Sequence, residues 1–224
     1  MDLGTCRRRL WAGGMLAVVF VLGGCQSRHD VVVDAISNEA KPLGSSYRLD
    51  VRDPSGGVDK ELGTLATGLT KDALAARGLY EAPAGVRPDM VIELEYGVGP
   101  GEIKIERVPS TAMMNSSGFP APTGSDYGDK PVVVFEKFLK LSAREPLPDD
   151  ATPGRGHERG DELWNLHVSI EDKKKDLAPY LPVLASVSVD YIGENTGSEK
   201  HIVVKDAEAA AALRQPRAPA PVPR

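Results

Sequence analysis

Two carboxylates and one imidazole are the side chains whose types and spacing could do chemistry. Glu93 and Glu95 stand two residues apart in an alternating stretch, so they share one face of a predicted β-strand. Paired carboxylates of this kind are used in acid and base catalysis. His167 lies on the polar face of a second alternating stretch. We therefore hypothesise a ligand face made of Glu93, Glu95 and His167.

The same face also fits a simpler interpretation. Its other predicted members mix both signs of charge with a neutral amide, which is typical of a solvated sheet surface with cross-strand charge pairs. This interpretation is the one that the composition favours. The neighbours concerned are Lys104, Glu106, Glu136, Lys140 and Asn165.

No other set of side chains predicts a reaction. His157, His167 and His201 are spread over a predicted loop and two strands, without the helical signature of zinc proteases. The serines lack a nucleophile elbow, and the glycines around Gly97 and Gly101 lack the Lys-Ser pair of a phosphate-binding loop. We predict no catalytic residue, no metal and no cofactor, so the sequence leans away from an enzyme.

Cys25 follows a stretch that is typical of a secretory signal. Arginines at positions 7–9 precede residues 10–24, which are uncharged and largely apolar, and the polar sequence from Gln26 ends the run. A membrane-spanning helix needs about 20 apolar residues. This run is too short to remain as an anchor, and we predict a signal peptide over residues 1–24.

Leu22-Gly23-Gly24-Cys25 resembles the lipobox of bacterial lipoproteins. The resemblance implies that the Cys25 sulfur takes a diacylglyceryl group, that a lipoprotein signal peptidase cuts after Gly24, and that the new amino group is open to acylation, for instance by palmitate. One fatty chain binds a membrane only marginally, whereas two or three make the anchor effectively permanent. Two alternatives stay open: an ordinary cut site beside Cys25, and twin-arginine export.

The lipobox resemblance also predicts a location. Gln26 is not the aspartate that tends to retain enteric lipoproteins in the inner membrane. We expect a protein that is lipid-anchored in the cell membrane or the outer membrane, with its domain facing the periplasm. Its expected partners are membrane lipid, through acylated Cys25, and a protein of the envelope.

Charge excludes one class of partner. Removal of residues 1–24 takes away three of 27 Lys and Arg and one of 32 Asp and Glu, which leaves 24 positive and 31 negative groups and a formal charge of −7. A general nucleic-acid binder needs clustered cations to replace phosphate counterions. We therefore predict no nucleic-acid partner.

The cysteines and the chain length indicate what kind of domain the chain can form. Cys6 leaves with the signal and Cys25 is consumed by lipid, so no disulfide is expected. The residues that remain suffice for one domain with its own core. We predict a tether over residues 25–46, with Val31-Val32-Val33 as an alternative sheet edge, one domain over 47–205 with flexible loops 109–130 and 146–160, and a short helix followed by a proline-rich tail over 206–224.

Hydrophobic periodicity predicts the elements of this domain. Asp59 is expected to cap the first helix and Gly78 to end it with a left-handed residue. Gly63 and Gly68 within that helix predict close packing against a sheet, and Lys137 interrupts an otherwise apolar strand face. The elements are strand 47–52, helix 58–76, a hairpin of strands 89–96 and 102–108, strands 131–145 and 162–171, helix 177–191, strand 201–204 and a marginal helix 206–214.

These elements predict an α/β domain of the α+β type. We expect two layers, with a mainly antiparallel sheet and two helices packed on one face. The stretch Arg77-Gly78-Leu79-Tyr80, a following strand and a later strand bearing Trp164 resemble poorly characterised envelope lipoproteins. That resemblance implies no activity.

Two functions follow as hypotheses. The first is a non-catalytic, membrane-anchored binding or envelope-assembly factor, which rests on the lipobox and on the lack of a catalytic pattern. The second is an envelope hydrolase or small-ligand binder that uses Glu93, Glu95 and His167. A cavity on the polar sheet face would be informative, and a flat, charged face would favour the first hypothesis.

Overall fold

The computed structural model describes residues 28–52, 59–109, 127–147 and 160–213. Seven strands and three helices follow one another along these ranges. They are β1 (Arg28–Ser37), β2 (Ser46–Arg52), α1 (Lys60–Ala76), β3 (Tyr80–Glu81), β4 (Met90–Pro109), β5 (Tyr127–Arg144), β6 (Glu162–Asp172), α2 (Leu181–Tyr191), β7 (Lys200–Lys205) and α3 (Asp206–Ala212).

The strands form one mixed sheet in the order β3-β2-β4-β5-β6-β1-β7. β2 runs parallel to β3 and to β4, whereas the β4–β5, β5–β6, β6–β1 and β1–β7 pairs are antiparallel. Helix α1 contacts β4, and α2 contacts β5, β6 and α1. The α+β class predicted from the sequence is confirmed at this level.

The core lies where alternating strand residues meet the helices. The apolar faces of the two alternating stretches that carry Glu93 and His167 are buried as expected, because every second side chain points to the same side of the sheet. On α2 the buried residues surround the helix rather than forming a stripe, which places it in the interior. The buried strand residues are Met90, Ile92, Leu94 and Tyr96 on β4 and Trp164, Leu166, Val168 and Ile170 on β6.

β1 corrects the prediction of a tether over residues 25–46. Residues 28–37 form a strand that pairs with β6 on one side and with β7 on the other, as the second strand from one end of the sheet. Val31, Val33 and Ala35 are fully buried there. The domain therefore includes residues 28–37, which the sequence prediction gave to the tether, and the alternative of a sheet edge at the three valines is also wrong.

β4 corrects the predicted hairpin of strands 89–96 and 102–108. Both stretches belong to one strand, which pairs with β5 throughout. The glycine-rich turn expected between them is a bulge, where the register shifts between Val98 and Gly101. β5 in turn begins at Tyr127, so residues 127–130 are strand rather than loop.

Helix α1 ends at Ala76 as predicted, but it begins at Lys60, two residues later than predicted, and its buried face is partly different. Asp59 caps it by accepting a hydrogen bond from the Leu62 amide at 3.0 Å, and Gly78 has a φ of 92°, as expected. The spacing of Leu62, Leu65, Leu69, Ala73 and Ala76 predicts one buried stripe, yet Leu65 is exposed, whereas Leu74, outside that stripe, is fully buried.

The two glycines within α1 differ. A Cβ at Gly63 would lie 3.0 Å from the Tyr96 hydroxyl oxygen, which confirms close packing against the sheet. A Cβ at Gly68 would meet nothing within 4 Å. The prediction of close packing is therefore wrong for Gly68.

Replacement of Gly68 by alanine is expected to stabilise the protein by up to about 1 kcal/mol, because alanine gains helix propensity without a clash. Gly63→Ala is the matched control, and it should gain less because its Cβ must displace Tyr96. Urea unfolding followed by circular dichroism would measure both. Equal gains at the two positions would contradict the packing described for Gly63.

The second half of the chain departs from prediction in its boundaries. Helix α2 begins at Leu181, four residues later than expected, with Pro182 in its first turn. Proline lacks the amide donor that a helix interior needs, and a first turn does not need it. Helix α3 packs against α2 with Ala209 buried, so the short helix belongs to the domain rather than to the tail.

Lys137 does not merely interrupt an apolar face but is fully buried beneath α2. Its Nζ donates to the carbonyl oxygens of Phe135 at 3.1 Å and Asp172 at 3.2 Å, and it lies 4.9 Å from the centre of the Tyr180 ring. Burial lowers the pKa of this lysine. A buried ammonium keeps its proton only with such partners, and here two carbonyls and an aromatic face supply them.

Several predicted segments lie outside the described residues. They are the signal peptide, Cys25, loop residues 110–126 and 148–159, and the tail from residue 214. Within the described ranges, no helix is both long enough and apolar enough to cross a membrane.

Candidate functional site

The side of the sheet opposite the buried residues carries polar and charged groups, and we call it the open face. Strand alternation places them there, because they stand between residues of the core. The register sets these side chains in rows that run across neighbouring strands. The members used below are Arg48, Asp50 and Arg52 on β2, Glu93 and Glu95 on β4, Lys140 and Arg144 on β5, and His167 on β6.

The structure places the three predicted ligand-face residues on this surface without bringing them together. Glu95 lies opposite Lys140, and Lys140 lies opposite His167, so one strand separates Glu95 from His167. Two strand spacings amount to about 10 Å. His167 instead stands 3.7 Å from a carboxylate oxygen of Glu136 and packs edge-on against Phe138.

Glu93 has a different setting from its two predicted companions. Its carboxylate lies 2.9 Å from the Arg52 guanidinium, and it lines a cavity of about 460 Å³ at the end of the open face. The cavity is formed by β2, β4, the end of β5 and the segments before β4 and after β5. Its walls comprise Arg48, Asp50, Gly85, Val86, Arg87, Pro88, Val91, Glu93, Arg144, Glu145, Pro146, Leu147 and Gly160.

Three guanidinium groups line this cavity in three different environments. Arg144 pairs with Glu162 at 2.8 Å through one terminal nitrogen, while its buried Nε has no hydrogen-bond partner among the described residues. Arg87 donates to the Pro146 carbonyl oxygen at 3.2 Å. Within the part of the chain that the structure describes, neither Arg87 nor Arg48 has a carboxylate at ion-pair distance. Two positive groups are therefore available to an anion.

Two of the carboxylates that line the cavity already have cationic partners. Glu93 is paired with Arg52, and Glu145 lies 2.7 Å from the Lys41 ammonium, which also contacts Asp161 at 2.8 Å. Hydrogen bonds to Asp161, first, and to Glu145 raise the pKa of Lys41. Because residues outside the cavity pair these two acids, Asp50 is the lining carboxylate that is left to oppose Arg48 and Arg87.

The arrangement suits the binding of an anionic group beside an apolar one. Guanidinium groups bind carboxylate and phosphate through paired hydrogen bonds, and Val86, Pro88 and Val91 supply an apolar wall. Among the described residues no group of three or more His, Cys, Asp and Glu is placed to hold a metal ion.

Sequence reasoning missed the arginines of the cavity. The alternation of Tyr47, Leu49 and Val51 was a usable signal for Arg48, since it places that side chain on the opposite face of the strand. Arg144 lies at the end of a strand, and Arg87 comes from an irregular segment. No spacing rule connects those two positions, which only the sheet brings together.

Asp89 fixes the chain beside the cavity wall. Its Oδ2 accepts hydrogen bonds from the amides of Ser45 and Ser46, both at 2.9 Å, and from the Ser45 hydroxyl at 3.2 Å. The Asp89 amide in return donates to the Ser46 hydroxyl oxygen at 3.0 Å. The backbone hydrogen bonds, from Ser46 first, lower the pKa of the Asp89 carboxyl.

Replacement of Asp89 by alanine is expected to cost about 1–3 kcal/mol at neutral pH, because charge-assisted hydrogen bonds are lost. A lowered native pKa means that this stabilisation is present above the ordinary carboxyl pKa and disappears as pH falls through the native one. The free energies of unfolding of the wild type and the variant, measured in urea, should therefore become equal at acidic pH. Asp50→Ala is the matched control, and an equal loss there would contradict the role of Asp89.

Comparison with known proteins adds little to this geometry. No protein-family model matches the chain, and no curated protein does so either. A PDZ domain protein from Parabacteroides distasonis is similar over 80% of this chain, with 12% identity and a TM-score of 0.41, and the chain spans 40% of its length. The PelC dodecamer from Paraburkholderia phytofirmans is similar over 74% of this chain and 99% of its own, with 11% identity and a TM-score of 0.34.

Proposed function

We propose that this chain is a lipid-anchored bacterial envelope protein that binds an anionic group of a partner or ligand in the cavity of its open face. The lipobox at Leu22-Gly23-Gly24-Cys25 supports the anchor. The observation that carries the binding role is the cavity itself, where Arg48 and Arg87 present guanidinium groups beside an apolar wall.

The proposal includes the finer architecture expected from the sequence. In it, the domain has two layers, with a mainly antiparallel sheet and helices α1 and α2 on one face. The contacts of α1 with β4, and of α2 with β5 and β6, support this arrangement. The opposite face is then free to meet a partner.

A binding role fits the geometry better than hydrolysis. Glu95 and His167 are separated by a strand, and Glu93 is engaged by Arg52, so the three side chains do not form an acid–base pair. Of the two hypotheses drawn from the sequence, the cavity fits a small-ligand binder better than a hydrolase. It also offers a binding site to a non-catalytic envelope factor. The ligand class is a carboxylate or phosphate group that carries an apolar substituent.

Photo-crosslinking in living cells would test this role. A photoreactive residue at Val86, an exposed valine of the cavity wall, is expected to capture an envelope component reproducibly. Val51 is a matched control, since it is also exposed but lies on β2 outside the cavity lining. Equal capture at both positions, or none at Val86, would contradict the proposed site.

The paired substitution Arg48→Gln and Arg87→Gln is expected to lower capture at Val86 about tenfold or more. Hydrogen bonds to charged groups contribute about 1.5–3 kcal/mol each, and 1.4 kcal/mol is a factor of ten in binding. Arg107→Gln, at an exposed arginine remote from the cavity, should leave capture unchanged. Undiminished capture by the double variant would rule out anion binding by these arginines.

A further inference from the structure

β4 and β5 extend together beyond the rest of the sheet. β2 pairs with β4 only as far as Glu95, and β6 pairs with β5 only from Phe135 onwards. Among the residues that the structure describes, 101–109 of β4 and 127–134 of β5 therefore pair only with each other, and we call this two-stranded projection the arm. It is about 25 Å long at 3.3 Å per residue.

One side of the arm, which we call its apolar side, carries exposed aliphatic side chains next to the sheet and the Arg107–Asp129 ion pair, at 3.7 Å, at its outer end. Ile103 pairs with Val133 and Ile105 pairs with Pro131 on the side that continues the core face of the sheet. The exposed fractions are 75% for Ile103, 71% for Ile105 and 47% for Val133. Folding alone does not explain an exposed row of large aliphatic side chains on a projecting ribbon.

The other side of the arm is charged and already engaged. Lys104 forms an ion pair with Glu171, and Lys173 forms one with Glu106 at 2.5 Å. Both pairs join the arm to the end of β6 and to the turn after it. They hold the charged side towards the domain and leave the apolar side free.

The arm projects from the end of the sheet at which the chain leaves Cys25. β5 pairs Phe135 with Asp172, and β6 pairs Ile170 with Val31, so Arg28 stands near the level where the arm begins. Cys25 is only three residues before Arg28. That length of chain spans at most about 11 Å, less than half the length of the arm.

We propose that the arm is a second membrane contact, whose apolar side lies in the lipid surface to which Cys25 is anchored. The inference rests on the lipid anchor of the proposed function. Because Arg107 and Asp129 stand at the outer end of the apolar side, the arm lies along the surface, with its aliphatic side chains in the lipid and this ion pair at the level of the headgroups. The cavity is at the opposite end of the sheet and then faces away from the membrane.

Site-specific fluorescence in proteoliposomes tests this contact. Once the signal is removed and Cys25 is acylated, Ile105→Cys provides the single free thiol for a polarity-sensitive dye. In vesicles of phosphatidylethanolamine and phosphatidylglycerol, nitroxide-labelled lipids should quench most of the dye emission. Val86→Cys, an exposed valine at the cavity, is the matched control and should keep its emission.

Acyl labelling of Cys25 in the same samples separates the two proposals. Acylated protein whose Ile105 dye is not quenched would overturn the membrane contact while the anchor stands. If Cys25 carries no lipid, the anchor fails, and quenching on added vesicles still decides for or against the arm. The dye could also be shielded from water without being quenched by nitroxide lipid, while copies of the protein crosslink through residue 105. That result would show that the arm is a protein interface and would overturn the proposal.

Discussion

Replacement of Val33 by aspartate is expected to unfold the domain, whereas the same change at Val32 is not. Val33 is fully buried between β6 and β7, and Val32 is half-buried on the opposite face. A carboxylate without a partner in the core must lose its hydration or its charge, at a cost of about 4 kcal/mol or more. Total stabilities are about 5–15 kcal/mol, so the loss removes much of the folded population.

Fluorescence of Trp164 gives a direct measurement, because this buried side chain is the one tryptophan outside the predicted signal peptide. Urea unfolding should shift strongly for Val33→Asp and little for Val32→Asp. Val32 pairs with Ser169 and His201 in the register, a polar setting that accepts a carboxylate. Similar losses at both positions would contradict the placement of β1 inside the sheet.

Replacement of Cys25 by serine is expected to abolish acyl labelling and to release the protein from membranes. Serine offers no thiol for the diacylglyceryl group, and each CH₂ of a lost fatty chain removes about 0.8 kcal/mol of membrane binding. Fractionation of cells grown with a labelled fatty acid measures both effects.

Cys6→Ser is the matched control for that experiment. Cys6 lies within the predicted signal peptide, so its loss should change neither the label nor the fractionation. Label that persists in Cys25→Ser would refute the lipobox interpretation. Label that is lost in both variants would point to a defect in export rather than in lipid attachment.

Local patterns predicted most elements of the fold and little of its connectivity. Alternation identified the buried faces of β4 and β6 because a strand with one wet side has a strict period of two. Helix α1 was predicted with its cap, but its buried face was partly wrong, since Leu65 and Leu74 fit neighbouring stripes of one helix equally well. Tertiary packing alone chooses between such stripes.

Errors arose where distant segments decide the structure. β1 has a short apolar run beside a predicted cleavage site, and its partners lie more than 120 residues later. Glycines at the bulge of β4 resemble a turn until β5 is seen to pair on both sides of them. Ile103, Ile105 and Val133 alternate like core residues, yet no helix reaches them.

The candidate site was predicted in part. The polar face was expected, and Glu93 does line its cavity, but Glu95 and His167 belong to another row. Arg87 lies in a segment without periodicity, and Arg144 reaches it only because β5 ends beside β4. Composition and spacing do not predict that Arg87 and Arg144 line the same cavity.

The position of β1 also constrains the order in which the chain can fold. Its partners are β6 and β7, so the first described strand has no partner until residue 172 has been made, and it has its second partner only after residue 205. Pairings at such sequence separations are slow to form because a long loop must close first. A nascent chain of this topology remains unfolded for most of its synthesis, a state suited to passage through a narrow export channel.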